Sequence, residues 1–358
     1  MKIALVFGAF TFGGTERVAC ELANSFANAG HEVIIVTMKQ KEACYRLDDR
    51  IVCYNGIPAA GRLGKLRQTR ALGALLERCA PDVVVSFMTQ INVACITALR
   101  GKRIPLIVSE RNSPKDMPRS KPVRALRTLL YPRADGFVFQ TEDAKNYFSR
   151  KIAERGCVIG NPLFLEAEPI PYALRRDEIV SVGRLMPQKD QLTLLQAFAM
   201  VHEKYPEYSL RLYGDGPERE KLEAFVRSSR LEQSVTFCGN SSTVQQQIAG
   251  AKLFLLSSRY EGMPNALMEA LGLGLVCIST DCPCGGPKTL IDDGENGFLC
   301  RVGDAGEMAE RMERILRDEE RQQSVSDRAI ASMERYRQDV IAGQWLAYLN
   351  RVVKEASK

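Results

Sequence analysis

At 358 residues, with 45% apolar and 26% charged side chains, the sequence has the composition of an ordinary globular protein of about two domains, which excludes a disordered, collagen-like or disulfide-scaffold chain. No apolar run approaches the roughly 20 residues of a spanning helix, and one lysine, a short apolar run and a glycine loop do not make a signal peptide, so the chain is expected in the cytosol. The net charge of +6 conceals opposite halves: residues 1–175 carry 26 Lys and Arg against 16 Asp and Glu, a net +10, and residues 176–358 carry 23 against 27, a net −4.

Short Val- and Ile-rich runs alternate with longer amphipathic segments, the pattern of parallel strands buried on both faces, and the class is α/β. Strands are predicted over residues 3–7, 32–37, 82–87, 106–110 and 136–140, with helices beginning near Gly14, Arg62, Asn92, Pro122 and Glu142. The glycine loop Gly13-Gly14-Thr15 follows the first strand and opens a helix, so its amides can face an anionic ligand. Around the second helix Leu63, Leu66, Leu72 and Leu76 recur at helical spacing beside Arg62, Lys65, Arg67 and Arg70, as in a basic helix lying on an anionic membrane. A packed and solvated helix reads the same way. The stretch from Arg100 to Arg133 is also rich in cations, but aromatic interleaving is missing, and nucleic acid is not expected as a partner.

Residues 161–171 hold three prolines and no periodicity, which suits a linker. Beyond it a second series of strands is predicted over residues 179–183, 210–214, 235–239, 253–257 and 276–280. The expected domains are therefore 1–164 (basic), 165–338, and a last segment, 339–358, whose Trp345, Leu349 and Val352 form one helix face. Two open parallel sheets are expected to turn their strand ends toward one cleft.

The first strand of the second domain runs into Gly183, Arg184 and Lys189: a glycine for close approach, a guanidinium that can fork onto phosphate, and a point charge. The fourth runs into Ser257-Ser258-Arg259-Tyr260-Glu261-Gly262-Met263-Pro264-Asn265-Ala266-Leu267-Met268-Glu269. Pro264 is expected in the first turn of a helix whose leading amides would hold a phosphate. Glu261 and Glu269 flank that position and can accept hydrogen bonds from hydroxyls on either side, as a sugar nucleotide requires. Two solvated helix charges are the simpler reading of that pair. Gly214-Asp215-Gly216 lacks the third glycine of a dinucleotide fingerprint, because Arg219 stands there. Eleven scattered cysteines are read as reduced core thiols, and with two histidines in the chain Cys282 and Cys284 lack partners for zinc.

Taken in order, Gly13-Gly14, Gly183-Arg184 with Lys189, Gly214-Asp215-Gly216-Pro217, the segment from Glu261 to Glu269, and Gly285-Gly286-Pro287 leading to Asn296-Gly297 resemble the retaining GT-B glycosyltransferases of family 4 over nearly the whole chain. The resemblance implies two Rossmann-like domains, 1–164 binding the acceptor and 165–338 the nucleotide-sugar donor, with the last helix crossing back to the first. It also implies that Arg184 and Lys189 bind the donor diphosphate, Glu261 contacts the transferred sugar, Glu269 contacts the ribose, and Phe237 to Gly239 lie near the base. A finer likeness, through Gly13 to Arg17, Ser109-Glu110, Tyr131-Pro132 and the basic helix near Arg70, is to bacterial transferases that add N-acetylgalactosamine to lipid-linked glycans. One departure matters. Where many relatives carry a histidine this chain reads Ser109-Glu110-Arg111-Asn112, so Glu110 or Arg111 becomes the group expected to position the sugar.

The implied reaction is transfer, with retained configuration, of a hexose or N-acetylhexosamine (UDP-GalNAc is the donor expected) to a hydroxyl of a polyprenyl-diphosphate-linked glycan. The nucleotide sugar is a co-substrate and no other cofactor is expected. With no Asp-x-Asp sequence in the chain, metal-independent catalysis is expected. Peripheral attachment to the inner face of the membrane through Arg62, Lys65, Arg67 and Arg70 would bring the enzyme to its acceptor. A GT-B epimerase or phosphorylase, and a non-catalytic sugar-nucleotide or lipid-diphosphate binding protein, are the rival readings.

Overall fold

The computed structural model describes residues 1–11, 13–42, 45–58 and 64–357. It divides into two compact units, Met1–Pro162 with Gln338–Lys358, and Leu163–Arg337. The division falls two residues before the boundary expected from the proline-rich stretch.

The first unit runs β1 (Lys2–Phe7), α1 (Gly14–Asn28), β2 (Glu32–Thr37), β3 (Val52–Asn55), α2 (Gly64–Cys79), β4 (Val83–Phe87), α3 (Thr89–Ala98), β5 (Leu106–Ser109), α4 (Lys121–Leu130), β6 (Gly136–Phe139), α5 (Glu142–Asn146), α6 (Arg150–Ala153) and β7 (Gly156–Val158). All seven strands are parallel in the order β3-β2-β1-β4-β5-β6-β7. Ile3, Ala4, Leu5, Val6 and Val83 to Val85 are fully buried, because helices cover both faces of the sheet. β3 and β7 stand at the two edges and were not predicted; β3 is largely exposed and neither strand has an apolar run to announce it. α3 starts three residues before its expected position, with Met88 at its N-cap in a positive-φ conformation.

The second unit runs β8 (Arg176–Val182), α7 (Gln191–His202), β9 (Ser209–Tyr213), α8 (Arg219–Ser228), β10 (Val235–Gly239), α9 (Val244–Ile248), β11 (Ala251–Leu256), α10 (Asn265–Gly272), β12 (Val276–Thr280), α11 (Gly286–Leu290), β13 (Phe298–Cys300), α12 (Ala305–Leu316) and α13 (Glu319–Ser332). Its six parallel strands are ordered β10-β9-β8-β11-β12-β13. Asp304 and Asp318 cap α12 and α13 by accepting from the amides of Glu307 and Arg321. The core joins Leu194, Leu195 and Phe198 of α7 to Met308, Met312 and Ile315 of α12 and to the strands.

The last helix, α14 (Gln338–Ala356), belongs to the first unit and packs on α1. Trp345 and Leu349 are fully buried, and the Trp345 ring lies 6.2 Å from that of Phe87. Tyr348 Oη accepts from the Phe137 amide at 2.8 Å and donates to the Arg155 carbonyl at 2.6 Å, which anchors the helix to β6. On the other side α2, α3 and α4 pack one against the next. In α2, Leu72 and Leu76 are buried but Leu66 is 45% exposed, so the expected apolar stripe reaches the core only in its second half. Arg62 and Leu63 lie outside the described residues. The ten described cysteines are free thiols; Cys53 is exposed, against the expectation of a core thiol, and Cys44 lies outside the described residues. Among the described residues no helix is long and apolar enough to cross a membrane, and no cluster of three metal-ligating side chains occurs.

Candidate active site

In each sheet the chain turns back on itself beside the first strand. This leaves a crevice at the carboxyl ends of β1 and β4 in one unit and of β8 and β11 in the other.

In the Leu163–Arg337 unit the predicted residues collect at that switch point. Gly183 follows β8, its amide donating to the Tyr213 carbonyl at 2.9 Å. Arg184 is exposed, and no carboxylate among the described residues pairs with it. Lys189 behaves differently. Its Nζ lies 2.6 Å from Glu261 Oε1, and Ser258 Oγ donates to the same oxygen at 2.7 Å. The expected free point charge is thus one half of an ion pair, because a carboxylate as buried as Glu261, 7% exposed, needs a cation beside it. Among the described residues nothing donates to Glu261 Oε2. Three bonds stitch the two loops together: Gln188 Nε2 to the Tyr260 carbonyl, the Arg259 amide to the Gln188 carbonyl, and Ser257 Oγ to the Lys189 carbonyl, at 2.9, 2.8 and 2.9 Å. The Glu261 backbone is braced from the loop after β12 through the Pro283 carbonyl and the Cys284 amide, at 2.6 and 2.9 Å.

Pro264 is not in the first turn of α10. Its ψ of 110° is extended, which makes it the N-cap, and the helix begins at Asn265. The Pro264 carbonyl accepts from the amides of Leu267 and Met268, so the Ala266 amide has no partner inside the helix. Met263, Pro264 and Glu269 are buried; Asn265 and Ala266 are half-buried. The glycines also acquire a reason. Gly214, at φ +123°, lies so close to the Gly183 carbonyl that a side chain would overlap it, and its amide donates to the Gly239 carbonyl at 2.7 Å. Glycines therefore meet at the ends of the adjacent strands β8, β9 and β10. Phe237, half-buried on β10, carries the Arg219 guanidinium 5.8 Å from its ring centre.

In the first unit Gly13 is the N-cap of α1, and Thr15 Oγ1 donates to Met88 Sδ at 3.6 Å across the switch point. The Glu16 carboxylate lies against Gly13, where any side chain would collide with it. An acidic group at this helix start disfavours a phosphate there and suits a ligand hydroxyl. Glu110 and Arg111 leave β5 into different surroundings. Glu110, 3% exposed, accepts from Thr89 Oγ1 at 3.1 and 3.2 Å and from the Tyr131 hydroxyl, which also accepts from Asn92 Nδ2 at 3.0 Å. Burial pushes the Glu110 carboxyl above its ordinary value, and burial together with the Glu110 charge raises Tyr131. Arg111, 7% exposed, lies over Phe87 and donates through Nη2 to Asn161, which also accepts from Gln140 Nε2 at 2.7 Å. Its Nε and Nη1 have no partner, and burial lowers the guanidinium to about 9.

Residues 168–332 match the family profile described as "Glycosyl transferases group 1", and residues 13–162 match that described as "Glycosyl transferase 4-like domain". The chain carries the two domains of a GT-B glycosyltransferase. Among its relatives, an uncharacterized glycosyltransferase of Haemophilus influenzae is 27% identical, over 94% of this chain and 96% of its own. A Campylobacter jejuni protein is 27% identical over 98% and 99% of the two chains; it is named GalNAc-alpha-(1->4)-GalNAc-alpha-(1->3)-diNAcBac-PP-undecaprenol alpha-1,4-N-acetyl-D-galactosaminyltransferase. The crystal structure of Anabaena HepE in complex with UDP superposes with a TM-score of 0.83 at 20% identity, over 98% of this chain and 100% of that one, and shares the fold.

Some working parts of this glycosyltransferase escaped sequence reasoning. Ser258 was quoted without a role, and its contact with Glu261 follows only from the turn after β11. Asn161 and Gln140, which meet at Arg111, come from strand ends and loops far apart in sequence. Tyr131 was visible only as part of a resemblance.

Proposed function

We propose that this glycosyltransferase moves a sugar, with retention of configuration, from a UDP-sugar to a hydroxyl of a polyprenyl-diphosphate-linked glycan, with N-acetylgalactosamine as the favoured sugar. One observation carries the reading: an unpaired, exposed Arg184 stands at the strand switch point beside the Lys189–Glu261 pair. The sugar and the acceptor follow the name of the Campylobacter relative, and the uridine diphosphate follows the ligand of HepE.

In this reading Arg184 and the first amides of α10 receive the diphosphate. Glu261, held by Lys189 and Ser258, offers Oε2 to hydroxyls of the transferred sugar, and Glu269 accepts from the ribose. Phe237 and Gly239 lie toward the base, and Gly13, Gly14 and Thr15 toward the sugar hydroxyls. Arg111, with two unsatisfied donors, replaces the missing histidine more readily than Glu110, which already accepts from Thr89 and Tyr131. The bond between the anomeric carbon and the diphosphate oxygen breaks, the acceptor oxygen bonds that carbon on the same face, and the acceptor proton passes to the departing phosphate. Arg184 and the α10 amides stabilise the leaving group, so a chelator is expected to leave the rate unchanged. Exposed Lys65, Arg67 and Arg70 on α2 attract the enzyme to anionic lipid.

The test is a panel of nucleotide sugars offered with a polyprenyl-diphosphate-linked acceptor and followed by mass. Gain of one sugar mass from a single donor is expected. Donor binding without turnover would establish a binding protein, a sugar phosphate formed only when inorganic phosphate is added would establish a phosphorylase, and an isomeric sugar formed without acceptor would establish an epimerase.

A further inference from the structure

α4 is built inside out. A surface helix ordinarily buries its apolar residues and exposes its cations, yet in α4 Arg127 is 2% exposed while Leu126 and Leu129 stand 43% and 64% exposed. The cause lies in the loop before it, where the carbonyls of Pro114, Asp116, Met117 and Pro118 take their hydrogen bonds from arginines of this helix. Arg127 donates to the carbonyls of Met117 and Pro114 at 3.0 and 2.8 Å and to the Tyr147 hydroxyl at 3.2 Å. Arg124 donates to those of Pro118 and Asp116 at 2.6 and 2.8 Å. Pinning that loop turns both arginines inward, and Leu126 and Leu129 face out.

Lys115, Arg119, Lys121 and Arg133 are exposed around this helix, and residues 117–134 contain no Asp or Glu. Tyr147, 46% exposed, lies beside it under the Arg127 guanidinium. α3 joins α4 to α2, where Leu66 is exposed among Lys65, Arg67 and Arg70. One layer of helices thus presents outward leucines among exposed cations.

We propose that α4 is a membrane-docking element, in which Leu126 and Leu129 enter the acyl boundary of an anionic bilayer while Lys115, Arg119, Lys121 and Arg133 meet headgroup phosphates. A protein partner fits less well, because two leucines supply far less than the roughly 800 Å² per partner that a stable interface buries. The inference deepens the lipid-acceptor reading by naming where the enzyme meets the lipid surface, and its test uses neither donor nor acceptor, so the two readings fail separately.

The full chain is sedimented with vesicles of phosphatidylcholine and with the same vesicles doped with phosphatidylglycerol. Binding to the doped vesicles is expected, and the L126Q/L129Q double variant should bind about tenfold more weakly or worse. Both side chains are exposed, so its melting temperature should match the parent's. A K65A/R67A/R70A variant should lose less and keep its residual binding at high salt. Equal binding by L126Q/L129Q and the parent would overturn the proposal. So would a parent that ignores vesicles but dimerises in solution through the two leucines, since the patch would then be a protein interface.

Discussion

Glu261 and Glu110 are both buried at the ends of parallel strands, one in each unit, and are held in opposite ways. Glu261 meets an ammonium group and one hydroxyl, and among the described residues nothing donates to its second oxygen. Glu110 accepts from the Thr89 and Tyr131 hydroxyls, and burial raises its pKa. Pairing with a lysine compensates the burial of the first carboxylate, whereas the second ties Thr89 and Tyr131 to the end of β5. The arginines divide the same way. Arg184 stands exposed without a carboxylate, and Arg111 is buried with two donors unmet.

The largest expected effect separates these roles at Lys189. Lys189→Ala leaves Glu261 buried without a cation, which should cost about 3 kcal/mol in chemical denaturation and slow turnover at least about a hundredfold. A variant of unchanged stability would show that the pair does not hold the site. Arg184→Ala should slow turnover roughly a hundredfold while shifting stability by less than about 0.5 kcal/mol; a loss of stability of Lys189→Ala size would erase the distinction between a ligand-facing and a structural cation.

At the other carboxylate, Tyr131→Phe removes a donor that holds the Glu110 pKa down, and should cost about 1 to 3 kcal/mol. The smallest effect is that of Glu110→Gln, and its sign depends on pH. Because the folded pKa lies above the unfolded one, the stability linked to this group is full below the ordinary carboxyl range and is lost as pH rises through the folded value. The variant cannot ionise, so calorimetry from about pH 4 to about pH 8 should show it gaining on the parent as pH rises. A difference independent of pH would mean that Glu110 is no more perturbed than a surface carboxylate.

The sheets were legible where strands are buried on both faces: the runs from Ile3, Val33, Val83 and Leu253 announce themselves by apolar continuity. β3, β7 and β13 did not, being three or four residues long, with β3 and β7 only partly covered. The site was legible as strand ends, since Gly183, Arg184 and Glu261 follow apolar runs. Its wiring was not. Lys189 and Glu261 are 72 positions apart, and the outward turn of α4 depends on carbonyls of a neighbouring loop that no helical periodicity encodes.

Local order along the chain determined the alternation of strand and helix, the two sheets and the residues standing at their carboxyl ends, because apolar periodicity and the chain reversals at glycine and proline are properties of neighbours. Tertiary structure alone decided which charges neutralise each other, which oxygen of Glu261 stays open, and which face of α4 meets the outside. Those outcomes are settled by desolvation and hydrogen bonding between segments distant in sequence, and they exist only once the segments have packed.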